Sequence, residues 1–92
     1  MGAIMAHGRW PEWWDWELEL SPHLFRRMAD RRFSEMDLRL MLERARGYRP
    51  DLVDGRWVIV TTFRRRTWEI IAEPDLSTKR LVVVTAYPYE EL

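Results

Sequence analysis

The chain has 92 residues, 47% of them hydrophobic, with fifteen Lys+Arg set against fifteen Asp+Glu. That length gives one domain with one small core. The apolar content at zero net charge excludes disorder, and no apolar run approaches the ~18 residues of a membrane span. Cysteine is absent, which removes disulfides, thiolate metal sites and cysteine nucleophiles.

In chain order, Met1 to Gly8 reads as a flexible start without the pattern of a signal peptide, so the protein is expected in the cytoplasm. Residues 1–13 are set apart as a flexible or tryptophan-rich N-terminal segment, and residues 14–92 form a single domain. Trp14 to Leu20 alternates apolar and acidic side chains, the period of a half-buried strand. Ser21-Pro22 supplies an N-cap and a proline at the first helical position, so a helix is predicted over Pro22 to Arg31 with Leu24, Phe25, Met28 and Ala29 on its apolar side. Ser34 with Asp37 makes a weak capping box for a second helix. Its apolar side is Leu38, Met41, Leu42 and Ala45, and Gly47 is expected to end it.

Beyond Gly47 the period changes. Asp54-Gly55 signals a hairpin between a Pro50-containing edge segment and a strand over Arg56 to Phe63. Arg64, Arg65 and Arg66 form the next turn, Thr67 to Glu73 a further strand, and Pro74-Asp75 opens a polar loop. Leu81 to Val84 is an unbroken apolar run, read as a central strand covered on both faces and ending near Tyr87-Pro88. The order β-α-α-β-β-β, with a further short edge segment, defines an α+β fold: two N-terminal helices on a mostly antiparallel sheet.

Zero net charge hides a polarity. Residues 1–22 carry −3, residues 23–66 carry +6 and residues 67–92 carry −3, and the basic residues are fourteen Arg to one Lys. Arginine binds phosphate oxygens two at a time. His23, Arg27 and Arg31 stand at i, i+4 and i+8, so at about 100° per residue they form one helix ridge drifting only ~80°. His23 is the natural proton carrier there, with an ordinary pKa of about 6.5. Arg27 and Arg31 read equally well as phosphate ligands or as salt-bridge partners of Glu17 and Glu19. Arg64, Arg65 and Arg66 could add backbone binding or form a solvated turn, and Tyr87 could bring a hydroxyl or pack at the edge of the core. Trp57 and Trp68 read as sheet packing. Trp10, Trp13, Trp14 and Trp16 are too many for so short a segment to bury, so some are expected over the basic ridge or in an exposed patch for a partner or a second copy. No glycine-rich phosphate loop and no metal-ligand cluster is present, so neither metal nor cofactor is expected.

The segment His23-Leu24-Phe25-Arg26-Arg27-Met28-Ala29-Asp30-Arg31-Arg32-Phe33-Ser34 resembles the opening of small bacterial domains related to the BrnT toxins, within the RelE-like ribonuclease superfamily. Gly55-Arg56-Trp57-Val58 and Val83-Val84-Thr85-Ala86-Tyr87-Pro88 are similar to the same group. The resemblance implies metal-independent RNA cleavage by a toxin held in check by a protein antitoxin, with RNA, not DNA or membrane, as the nucleic partner. On that reading His23, Arg27, Arg31 and Tyr87 are the catalytic candidates, Arg64, Arg65 and Arg66 the RNA ligands, and Trp10, Trp13 and Trp14 the partner surface. The alternative is a non-catalytic interaction module of the same shape, associating through its tryptophans. RelE-like enzymes lean on lysines, whereas Lys79 stands alone here, and the tryptophan-rich opening lies outside the shared pattern.

Overall fold

The structure, a computed structural model, describes residues 5–6 and 10–91. Among the described residues six strands form one sheet in the order β1-β3-β4-β5-β6-β2, with β1 Met5–Ala6, β2 Glu17–Leu20, β3 Gly47–Pro50, β4 Trp57–Phe63, β5 Arg66–Asp75 and β6 Arg80–Pro88. All pairings are antiparallel except β2 with β6, which run parallel and are joined by a long crossover through the two helices α1 (Pro22–Arg31) and α2 (Glu35–Glu43) and then β3, β4 and β5. The α+β class and the two helices on one face stand as expected. Among the described residues no helix is long and apolar enough to cross a membrane.

Local chemistry explains both helix starts. The Ser21 hydroxyl accepts from the Leu24 amide and donates to the Val84 carbonyl, so one side chain caps α1 and ties it to β6. Val84 is the extra residue at a bulge where the β5–β6 register shifts. Ser34 and Asp37 exchange hydrogen bonds in a complete capping box. Arg32 closes α1 in the left-handed conformation.

Leu24 of α1 and Leu38 and Met41 of α2 bury against Ile59, Phe63, Trp68, Ile70, Leu81 and Val83, all on one face of the sheet. The Trp68 ring meets Phe33 at 5.4 Å and Phe63 at 5.5 Å, both edge-on, which locks the end of α1 onto the β4–β5 hairpin. The buried Thr61 hydroxyl donates to the Met41 carbonyl, which also accepts the Arg44 amide at the C-terminal end of α2.

Several expectations are corrected. Trp14 and Asp15 belong to a 3-10 turn over Glu12–Asp15, so the strand begins only at Glu17. Phe25 and Ala29 are exposed, because the buried stripe of α1 is narrower than the apolar count suggested. Gly47 does not end α2; it opens β3, and Arg44 is the cap. Pro74-Asp75 completes β5, and Arg66 starts it. β6 lies one strand in from the edge, with Val82 and Val84 only half-buried. Among the described residues Trp13, Trp14 and Trp16 lie over no arginine. Trp10 stacks on Trp14 at 4.2 Å and on Tyr48 at 5.2 Å, and the buried Trp13 packs against Tyr48 and Trp57 at 5.8 Å. The N-terminal part of the tryptophan segment is therefore integral to the core.

Candidate functional site

Two features stand out on the completed fold: a basic end and a polar cluster on the helix-free face. The basic end follows from the topology. Arg46 donates its amide to the Val60 carbonyl at 2.8 Å, and Arg44 caps the helix whose Met41 carbonyl meets Thr61. Both arginines thus lie beside the half of β4 that leads into Arg64-Arg65. Arg31 donates to the Ala86 carbonyl at 3.3 Å, and Arg32 precedes Phe33, which Trp68 links to Phe63 and so to Arg64. Arg32, Arg44, Arg46, Arg64 and Arg65 are exposed and have no carboxylate partner among the described residues. Arg64 lies over the Phe63 ring at 4.6 Å, and Arg66 is paired with Glu90 at 3.1 Å.

The acidic N-terminal strand does not mask this end. Among the described residues Glu17 reaches only Arg80, at 3.9 Å, and Arg27 pairs within its own helix with Asp30 at 3.0 Å. The bridges from Glu17 or Glu19 to Arg27 or Arg31 considered from the sequence are not among the contacts formed.

On the face away from the helices, Glu69 of β5 is only 3% exposed and receives two hydrogen bonds. Arg49 Nη2 donates to its Oε2 at 3.0 Å, and the Tyr87 hydroxyl donates to its Oε1 at 3.1 Å. The strand register brings these three together, since Glu69 stands opposite Tyr87 on β6 and opposite Val60 on β4, near where Arg49 enters from β3. Thr62 and Thr67 face each other between this cluster and the arginine turn. Burial of the phenol, then the charge and hydrogen bond of Glu69, push the Tyr87 pKa up to about 12. Tyr87 is therefore a proton donor through the neutral range.

That shift has a pH consequence. An unfolded phenol titrates near pH 10, whereas native Tyr87 keeps its proton to about 12. Between those values the unfolded chain binds fewer protons than the native one, so stability falls as pH rises. Urea midpoints measured from pH 9 to 11.5 should fall less steeply for Tyr87→Phe than for the parent.

The structure does not unite the sequence-derived catalytic set. His23 and Arg31 lie on α1, on the helix side, and His23 makes no hydrogen bond among the described residues. Tyr87 follows the core residue Ala86 and so points to the opposite face. Arg49 and Glu69 went unremarked in the sequence. The available signal was a single carboxylate in the otherwise apolar stretch Trp68 to Ala72. Among the described residues no group of three or more His, Asp or Glu side chains could hold a metal ion. No protein-family model, no curated protein and no solved structure matches the chain.

Proposed function

We propose that the protein is a toxin-like domain, of the kind its BrnT and RelE resemblance implies, that binds RNA at its arginine-rich end and cleaves it without metal on the helix-free face. The observation carrying this reading is the run from unpaired arginines, through Thr62 and Thr67, to the Arg49–Glu69–Tyr87 cluster on one sheet. Phosphates would sit on Arg44, Arg46, Arg64 and Arg65, where guanidinium forks favour bidentate contact. The half-exposed Arg49 would hold the scissile phosphate.

In this mechanism Tyr87 takes the proton of the attacking 2′-hydroxyl while passing its own proton to Glu69 Oε1 along their 3.1 Å hydrogen bond. The 2′-oxygen bonds to phosphorus as the P–O5′ bond breaks, leaving a 2′,3′-cyclic phosphate, and the departing 5′-oxygen takes a proton from water. The relay lets the buried Glu69 act as base without touching substrate, and it reconciles a phenol that is only a donor by itself with a site that needs an acceptor. An oligoribonucleotide should be cut in the presence of EDTA by the parent protein. Tyr87→Phe should bind the same RNA and leave it uncut, which separates chemistry from binding.

A further inference from the structure

The β2 edge of the sheet carries a second surface. Among the described residues no strand lies beyond β2, so its outer backbone groups have no sheet partner. Such an edge is a template for an added strand. Its two sides differ in character. On the helix-free side Glu17 and Glu19 are exposed; Glu17 has only the 3.9 Å contact to Arg80, and Glu19 has no ion pair among the described residues. On the helix side a groove of about 290 Å³ opens between β2 and α2, walled by Trp14, Trp16, Leu18, Leu42 and Leu81. Its charged lining is Asp15 and Glu43, neither with a partner among the described residues, and Arg39, whose charge is paired with Glu35 at 2.9 Å.

We infer that β2 and this groove form a docking site for an extended peptide with basic side chains on one face and apolar ones on the other. The peptide adds as a strand along β2. Its basic residues meet Glu17 and Glu19, and an apolar residue drops between Trp14, Trp16 and Leu42. The period of two makes both demands compatible in one strand. Charge also selects against a second copy of this chain: antiparallel pairing of two β2 strands centred on Leu18 sets Glu17 opposite Glu19, and facing like charges are unfavourable. The site shares no residue with the arginine-rich end or the Tyr87 cluster, so it stands independently of the RNA reading.

Acetyl-(Lys-Leu)3-amide and acetyl-(Glu-Leu)3-amide, titrated against tryptophan fluorescence, provide the test. The lysine peptide is expected to bind at least tenfold tighter and to slow amide exchange at the outward-facing positions within residues 17–20. Combined Glu17→Lys and Glu19→Lys substitution should reverse the preference, and the milder Glu19→Gln should weaken the lysine peptide alone. A circular dichroism spectrum matching the parent shows that each variant is folded. Equal binding of the two peptides, or protection falling outside residues 14–20, would overturn the proposal. So would a dimer that protects the same amides without peptide, since it would assign the edge to a second copy.

Discussion

Glu69→Ala is expected to lower the free energy of unfolding by about 2–3 kcal/mol, a large part of the ~5–15 kcal/mol typical of a small domain. The Glu69 carboxylate is nearly inaccessible and is the shared acceptor for Arg49 and Tyr87. Its removal leaves a half-buried guanidinium without its charge partner and a phenol without its acceptor, besides a small void. The Arg49 side chain keeps 27% of its exposure, so water relieves part of the loss. This places the effect below the ~3–5 kcal/mol of fully buried pairs. Replacing the whole cluster, by Arg49→Met, Glu69→Leu and Tyr87→Phe together, removes every polar demand at once and should restore stability to within about 1 kcal/mol of the parent. Urea unfolding of the single and triple variants checks both statements. Under the proposed function the triple variant stays inactive however well it folds.

The second large effect has opposite signs for stability and binding. Arg64 and Arg65 form a two-residue hairpin loop with φ of 52° and 64°, since Phe63 pairs directly with Arg66. Positive φ at both central positions marks the turn that favours Asn-Gly. A side chain such as arginine is disfavoured there by roughly 1 kcal/mol per residue. Arg64 also lies over the Phe63 ring, a contact that at an exposed site contributes about 0.5–1 kcal/mol. The backbone term is the larger, so Arg64→Asn with Arg65→Gly should stabilise the fold by about 1 kcal/mol. Under the proposed function the same change also removes two phosphate ligands. For single-stranded RNA this should flatten the slope of log K against log salt by about 1.4 and weaken binding roughly twentyfold near 0.1 M salt. A turn that is less stable than its simplest alternative, yet binds better, is the outcome expected if the arginines serve function.

How much was legible in the sequence depended on distance along the chain. The start of α1 followed from Ser21 and Pro22, and the start of α2 from Ser34 and Asp37, because capping is decided within four residues. The hairpin turns at Asp54-Gly55 and Arg64-Arg65 were legible for the same reason, and Gly55 takes the positive φ that the first turn requires. Trp14 was misplaced because the packing of Trp13 among Tyr48 and Trp57, remote in sequence, overrode a local alternation. Gly47 was misread because a glycine after a helical stretch reads as a stop, whereas its pairing with Val60 makes it a strand start. The Arg49–Glu69–Tyr87 cluster depends on the register of four strands at once, which no local pattern encodes. The basic middle of the chain was visible by counting. How far the acidic flanks neutralise it was not, since Glu69, Glu73 and Glu90 pair with Arg49, Arg56 and Arg66 across the sheet, whereas Glu17 turns to Arg80.

The most direct test compares three proteins on one oligoribonucleotide in EDTA: the parent, Tyr87→Phe and His23→Ala. With the relay on the helix-free face, the parent cuts, Tyr87→Phe loses at least a hundredfold in rate with RNA affinity unchanged, and His23→Ala stays within about twofold of the parent, the hundredfold being at the low end for proton-transfer catalysis. A parent that binds or ignores RNA without cutting it would contradict the account, as would cutting that survives Tyr87→Phe and is lost in His23→Ala.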